Sequence, residues 1–471
     1  MDIKTRHTAW LIGMAIFLLT SGCFESNTGP LKVSDANPRY FTDGTGRAIY
    51  LTGSHTWSNL MDMGQDDPPE PFDFEAYLNW LDQYNHNFFR LWTWELMSWN
   101  TWANEHDSTV SKVHHVYPLP YMRTGPGKAL DGKPKFDLTR FNPEYFQRLR
   151  TRAEEAREHG IYLSVMLFEG WGLQRLDDGW VNHPFHPDNN INGIDGDLNG
   201  DGKGLEIHTL ADTGITSIQK NYVRKVIETV NDLDNILYEI SNENHPPSTQ
   251  WQYYMIDFIH EYEKGKPYQH PVGMTFQYQG GSNRTLFESP ADWISPNPEG
   301  GYRDDPPAAT GRKVIITDTD HLWGTGGDRQ WVWKSFTRGI NPIYMDCYAA
   351  IYCEGENPND PTMVSVRRNM GYALTYANRV NLVAMTPRPD LCSTSYCLAH
   401  PAANGAQYLI YLPSGGSTSV DLSDVSGALS VEWFNPSNGT TSEGGTTLGG
   451  SSRSFTPPFR GDAVLYIYQS N

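Results

Sequence analysis

From residue 48 to residue 379 one unit recurs along the chain: a short apolar run, a polar loop, then a stretch with helical spacing. The apolar runs are Ala48–His55, Asn87–Trp92, Ile161–Phe168, Asn235–Asn244, Val272–Phe276, Trp293–Ile294, Lys313–Thr317 and Pro342–Met345. Helical spacing follows over Phe74–Gln83, Pro143–His159, Ile215–Asn231, Trp251–Tyr262 and Met363–Arg379. Consecutive strands separated by helices pair in parallel, because a crossover of that length returns the chain to the same end of the sheet. Eight such strands predict an α/β fold, a closed (β/α)8 TIM barrel. An open doubly wound sheet is the competitor. It more often carries a glycine-rich turn after its first strand, and Gly53-Ser-His55 is not that fingerprint.

The rhythm changes after residue 385. Tyr408–Leu412, Val420–Leu422, Leu429–Phe434 and Ala463–Tyr468 are short strands between turns rich in Gly, Ser and Thr. They predict a small C-terminal β-sandwich over residues 385–471, with the barrel spanning 31–384. Arg39–Gly46 reads as a hairpin ahead of the first strand. Residues 1–22 read as a targeting segment: Lys4 and Arg6 precede an apolar stretch, Ala9–Leu19, too short to span a bilayer. Leu19-Thr-Ser-Gly-Cys23 resembles a bacterial lipoprotein signal, with an ordinary cleaved signal as the alternative. Either implies export. The first implies a lipid anchor at Cys23 on an outer membrane or cell surface, through a tether over residues 23–30. Cys347, Cys353, Cys392 and Cys397 then form an even set with three possible pairings, of which Cys347–Cys353 and Cys392–Cys397 are the local ones.

A net charge of -19 disfavours nucleic acid, since phosphate binding needs basic surface. The 15 tryptophans suit a cleft that stacks on flat apolar faces, although most large barrels bury many aromatics. In a barrel of this kind the chemistry sits at the C-terminal ends of the strands. Those ends hold His55 and Trp57; Arg90, Trp92, Trp94 and Glu95; Glu169 and Trp171; Asn242 and Glu243; Gln277 and Tyr278; Asp318, Asp320, His321 and Trp323; Asp346 and Tyr348. Each alone reads as a satisfied structural group. Together, aromatic faces and paired carboxylates suit a carbohydrate site, with Glu243 placed for proton transfer to a glycosidic oxygen.

The pattern of Arg90 closing the second strand and Tyr238-Glu-Ile-Ser-Asn-Glu243 closing the fourth resembles the clan A glycoside hydrolases, retaining barrel enzymes. The resemblance implies a glycosidase that acts on a poly- or oligosaccharide, with Glu243 as acid/base and Asn242 on a hydroxyl. It also implies a second carboxylate at the end of strand seven. There the chain reads Ile316-Thr-Asp-Thr-Asp-His321. Asp318 takes the nucleophile's place, and Asp320 can share its face. Aspartate is one methylene shorter than the usual glutamate, so the gap to Glu243 can exceed the roughly 5–5.5 Å of a retaining pair. The stretch Asn37–Trp57 resembles the apiosidase-like bacterial hydrolases. Glu432-Trp-Phe-Asn-Pro-Ser-Asn-Gly439 resembles the collagen-binding-type β-domain found in such proteins.

The loop Asp195–Glu206 is a separate signal. Asp195, Asp197, Asn199, Asp201 and Glu206, with Gly200 at the turn, match an EF-hand pattern and imply structural Ca²⁺. No cofactor is expected for catalysis, and a monomer is expected. Two other readings stand beside the glycosidase. One is a glycan-binding surface lipoprotein on an inactive barrel. The other is a metal-dependent hydrolase using Asp320, His321 and His55.

Overall fold

The structure is a computed structural model that describes residues 29–101, 112–349, 353 and 357–469. The targeting segment, Cys23 and most of the tether lie outside the described residues. Eight parallel strands form the barrel: β1 (Gly53–His55), β2 (Phe88–Leu91), β3 (Tyr162–Glu169), β4 (Ile236–Asn242), β5 (Val272–Thr275), β6 (Trp293–Ser295), β7 (Val314–Asp318) and β8 (Asn341–Met345). Their hydrogen-bonded order is β1-β8-β7-β6-β5-β4-β3-β2. The seam between β1 and β2 is closed by Asn87, whose N–H donates to Thr52 O at 3.0 Å and whose Oδ1 accepts from Thr52 N at 3.0 Å. A side chain at Gly53 would strike Phe88 O in this seam, so the strand needs glycine there. The expected TIM barrel is observed.

Among the described residues the α-helices of 6 residues or more are α1 (Phe74–Gln83), α2 (Pro143–Glu158), α3 (Thr213–Val230), α4 (Thr249–Glu263), α5 (Asn283–Glu288), α6 (Arg329–Thr337) and α7 (Pro361–Arg379), and a shorter helical segment, Trp171–Arg175, follows β3. Asn142 caps α2 and Asp212 caps α3 with side-chain oxygens, which satisfy amides that the first helical turn leaves free. No helix follows β6 among the described residues. The sequence rhythm missed α5 and α6, because one is a turn and a half long and the other follows the Gly-rich run 324–327.

The barrel interior is layered. Leu51, Phe88, Leu237, Trp293, Val314, Ile316 and Ile343 form an apolar plug at its lower end, closed by Leu31 and Phe41. Leu31 and Phe41 belong to an N-terminal hairpin in which Lys32–Val33 pairs with Phe41–Thr42. This lies earlier than the hairpin read at Arg39–Gly46, whose turn instead brings Ile49 back to Phe41. One strand step of two residues above the plug, the same inward register carries charge: Arg90 above Phe88, Glu239 above Leu237, Asp318 above Ile316.

Two antiparallel pieces, absent from the sequence reading, stand above the barrel mouth. Asp62–Gly64, Lys112–Tyr117 and Ser98–Thr101 form one sheet, and Tyr121–Lys128 pairs with Pro134–Phe141. The C-terminal unit has a six-stranded antiparallel sheet: β9 (Thr386–Pro387), β10 (Cys397–His400), β11 (Gln407–Leu412), β13 (Ala428–Asn435), β14 (Thr440–Leu448) and β16 (Ala463–Tyr468). A second pair, β12 (Thr418–Asp421) and β15 (Ser452–Phe455), lies across from it. The larger sheet packs on α6 and α7. Trp333 meets Phe434 at 5.7 Å and Tyr411 at 6.4 Å, and Arg329 pairs with Asp462 at 2.8 Å. Of the two local cysteine pairings, Cys347–Cys353 is a disulfide, while Cys392 and Cys397 are buried free thiols.

Candidate active site

Arg90 is the centre of the barrel mouth. Phe88 and Arg90 face inward from β2, so the guanidinium rises into the bore, 1 % exposed. Its Nε and Nη2 donate to the two Glu239 oxygens at 2.8 and 2.6 Å. Nη1 donates to Asp318 Oδ2 at 2.9 Å and to Asp320 Oδ2 at 3.1 Å. Nη2 also donates to Asn242 Oδ1 at 2.6 Å. A planar fork with five donors suits this many acceptors, and its face lies 4.7 Å from the Trp92 ring.

Asp318 ends β7 and is 0 % exposed. His55 Nε2, from the end of β1, lies 3.0 Å from Oδ1 and 2.8 Å from Oδ2, and the Asp320 amide donates to Oδ1 at 3.0 Å. Burial raises its pKa, but His55 and Arg90 more than offset that and hold the carboxyl well below the usual range. Asp320 is closer to solvent, its side chain 8 % exposed. Burial and the neighbouring Asp318 charge push it up to about 6, against Arg90. His321 follows, with Nδ1 2.7 Å from Ser295 Oγ and Nε2 3.3 Å from Asn242 Oδ1. Burial and then Arg90 push it down to about 3, so the ring is neutral.

Glu243 follows β4 directly. Its backbone is left-handed, with φ of 42°, an uncommon conformation for a residue with a side chain. Gln174 Nε2 ties this turn down by donating to Glu243 O at 2.8 Å. The carboxyl is buried. Burial, then Asp320, then Glu169 raise its pKa well above the carboxylate range, which keeps the proton on. Glu169, at the end of β3, is pushed by burial up to about 8, although the Trp171 and Gly172 amides donate to its two oxygens at 2.7 and 2.9 Å.

The tryptophans expected at the mouth form a packed wall. Trp57 meets Trp92, Trp94, Trp99 and Trp171 at 5.1–5.8 Å between ring centroids. Trp92 and Trp94 are buried, Trp92 stacking on His55 at 5.5 Å. Trp323 is 38 % exposed on the loop after β7, edge-on to Trp331. Tyr278 is half-buried beyond β5.

Glu239 was missed in the sequence reading, although the signal was present. A glutamate inside the apolar run Ile236-Leu-Tyr-Glu-Ile240 demands a buried cation, and Arg90 sits at the matching height of β2. A second network was missed as well. Glu95 accepts from the Glu169 amide at 3.0 Å and lies 3.0 Å from His208 Nε2 and 3.6 Å from His183 Nε2. Burial works against its ionisation, but His208 and His183 hold it down to about 2.

Asp318, Asp320 and His321 bring three ligand-type atoms within 4.8 Å of one another. The Arg90 guanidinium already supplies the cation against both carboxylates there. The metal-hydrolase reading therefore gains nothing from this cluster. In the loop between β3 and α3, Asp197 accepts from the Asp201 and Gly202 amides at 3.1 and 2.8 Å. Asn199 Nδ2 donates to Glu206 Oε1 at 2.6 Å and to Asp201 Oδ2 at 3.3 Å, and Asp195 Oδ1 accepts from the Asp197 amide at 3.1 Å. Glu206 Oε2 is buried without a hydrogen-bond partner. Hard oxygens converging on one turn, one of them orphaned, fit Ca²⁺.

The sequence matches a domain of unknown function (DUF6298) over residues 101–279. Residues 391–467 match a family described as "Putative collagen-binding domain of a collagenase". No curated protein matches the chain. A solved structure titled "Glycoside hydrolase" is similar with a TM-score of 0.62 at 13% identity, over 94% of this chain and 97% of that one. A glycoside hydrolase family 5 structure from Bacteroides vulgatus ATCC 8482 is similar with a TM-score of 0.59 at 14% identity, over 94% of each chain. At these identities the likeness is one of fold, and it extends through both the barrel and the β-unit.

Proposed function

We propose that this chain is a glycoside hydrolase that cleaves a poly- or oligosaccharide with two carboxyl groups at the barrel mouth. One arrangement carries the reading: neighbouring carboxyls lie in opposite surroundings, Asp318 against His55 and Arg90 and Glu243 buried beside other carboxyls. Glu243 is held neutral by burial and by the negative charges of Asp320 and Glu169, while His55 and Arg90 keep Asp318 ionised. Divergent environments of this kind set acid and base roles in one site. Glu243 is the general acid that protonates the leaving oxygen. The neutral His321 and Asn242 flank it and suit sugar hydroxyls.

The strand pattern favours Asp318 as the second carboxylate, and the geometry favours Asp320. Both Asp318 oxygens are engaged by His55 and Arg90 with no exposed surface. Asp320 is the charge that acts most strongly on Glu243 and has surface toward the mouth. In this reading Asp320 attacks the anomeric carbon, with retention, or deprotonates the attacking water, with inversion. Asp318 holds Arg90 and His55 in place. The fold of the two similar glycoside hydrolases supports the class and leaves the sugar open.

Export by a lipoprotein-type signal belongs to the same proposal, as does Ca²⁺ in the 195–206 loop. The ion has a route to the site: Leu205 O, within the loop, lies 2.8 Å from Nε2 of His245, two residues past Glu243. The test is turnover of an aryl glycoside panel by wild type and Glu243→Gln. The variant is expected to keep the fold and lose roughly 10²–10⁴-fold in kcat on substrates with poor leaving groups. Unchanged kcat on such a substrate would falsify the acid role.

A further inference from the structure

A cleft opens at the barrel mouth, between the loops that follow β1 and β8. It holds about 200 Å³, where one water needs on the order of 10–15 Å³. Ser58, Met63, Glu70, Phe72, Asp73 and Tyr348 line it. We propose that this cleft is a saccharide subsite that takes a neutral sugar residue of the substrate chain and rejects an anionic one. The ligand class rests on the glycosidase reading, whereas the cleft stands on its own geometry.

The walls are fixed. The Phe72 amide donates to Asp62 Oδ1 at 2.9 Å, and Arg148 holds the other oxygen of Asp62 at 2.7 Å. The Tyr348 amide donates to Asp346 Oδ1 at 3.1 Å, and Arg367 grips Asp346 with two hydrogen bonds of 2.6 and 2.7 Å. Each wall is thus anchored through a buried carboxylate to an arginine on a barrel helix. Phe72 and Tyr348 stand edge-on to each other at 6.2 Å. A preformed cleft of this kind does not spend binding energy on ordering its walls.

The lining has the chemistry of sugar recognition. The aromatic rings and Met63 offer apolar faces to ring C–H groups. Glu70 and Asp73 are exposed carboxylates that accept from hydroxyls and repel a uronate. Asp73 is held in place because its Oδ1 caps α1, accepting from the Ala76 amide at 2.9 Å. Ser58, also in the lining, is 4 % exposed, and its Oγ is buried with no hydrogen-bond partner. A buried hydroxyl is rarely left unpaired, and a turn of the Ser58 side chain toward the cleft would pair it with a ligand hydroxyl. The place also fits. β8 adjoins β7 and β1 adjoins β8 in the sheet, so the cleft lies to one side of Asp318 and Asp320, along one direction of an extended glycan.

The experiment uses the full chain carrying Glu243→Gln, so that ligand persists. Cellotetraose, mannotetraose and xylotetraose are the neutral probes and tetragalacturonate the anionic one, each titrated by calorimetry and by saturation-transfer NMR. At least one neutral probe should bind. Its Kd should rise tenfold or more when Ser58→Val is added, and again with Glu70→Lys, while tetragalacturonate binds only to the Glu70→Lys protein. Glu443→Lys on the exposed face of β14 is the charge control and should leave Kd unmoved. Glu70→Gln, at an exposed position, covers any folding defect of the Ser58 variant. No neutral probe binding, or equal Kd with and without both cleft substitutions, overturns the subsite. Turnover that survives Glu243→Gln overturns the catalytic reading instead, and the Kd comparison is unaffected by it.

Discussion

Replacing Arg90 by Met tests whether one buried cation holds the barrel mouth together. Met keeps much of the volume and removes the charge. Glu239, Asp318 and Asp320 would then lie near one another without the guanidinium that now bonds all three at 2.6–3.1 Å. Breaking a buried pair by deleting one partner costs about 3–5 kcal/mol. An unfolding entropy of roughly 2.1 cal/mol/K per residue over this chain gives about 1 kcal/mol/K, so Tm should fall by about 3–5 °C near pH 7.5. The pH dependence has a definite sign. Asp318 is held below its ordinary range in the folded state, chiefly by His55 and Arg90 against burial. It therefore adds stability above the unfolded aspartate value of about 3.9, and that stability is lost as pH falls toward the folded value. Loss of Arg90 removes part of this contribution. The Tm gap between wild type and variant should hold from neutrality down to about pH 4 and narrow below it, as pH falls from the unfolded aspartate value toward the folded one. Scanning calorimetry near pH 7.5 and near pH 3, at one fixed scan rate, measures both quantities. A variant as stable as wild type at pH 7.5, or a gap that does not shrink with acid, would refute the keystone role.

With Asp320 pushed up to about 6, kcat/KM should fall on an acid limb near that pH, and Asp320→Asn should abolish turnover of natural glycan; a profile flat down to pH 4 would assign the reacting carboxylate to Asp318. Chelation by EDTA should lower Tm by a few degrees, and Asp195→Ala should remove that sensitivity. Elemental analysis showing no calcium in protein purified with the ion would end the EF-hand reading. Trp333→Ala removes a buried indole that joins α6 to Tyr411 and Phe434 of the β-unit. A cost of about 3–5 kcal/mol is expected, with protease cleavage near residue 385 as the accompanying sign; resistance equal to wild type would show that the two units hold together without it.

The barrel was legible because strand and helix periods differ and because apolar runs mark the strands. Phe74–Gln83 appears as a helix with those bounds. The pieces over the mouth were not legible. Tyr121–Lys128 and Pro134–Phe141 are polar strands that pair with each other around the turn near Gly132, and their pattern matches an ordinary loop. β14, Thr-Thr-Ser-Glu-Gly-Gly-Thr-Thr-Leu, is exposed along most of its length and carries no alternation to read. At the site, individual strand-end residues could be named, but not their connections. Asn242 and Arg90 are far apart in sequence, and only the barrel's shear brings the amide oxygen onto the guanidinium. The depth of Asp318 relative to Asp320 was equally hidden, because period-two alternation places both on one face and says nothing of how the chain turns after Thr319.

The site's charge balance explains why a proton belongs on Glu243. Arg90 contributes one fixed positive charge, while Glu239, Asp318, Asp320 and Glu243 offer four carboxyls around it, with Glu169 close behind. His321 is neutral and cannot compensate. In a mouth shielded from water, like charges at such spacing repel too strongly for all to ionise together. Some protons must therefore stay bound at neutral pH. Asp318 is not the group that takes one, because it holds Arg90 directly and also has His55. Glu243 is the buried carboxyl beside Asp320 and Glu169 with no ion pair to Arg90. The excess of acids over bases is thus the device that keeps an acid charged with its proton near neutral pH. Deleting a neighbouring carboxylate would lower the pKa of Glu243 and so cost it the proton it must donate, even where that neighbour never touches the substrate.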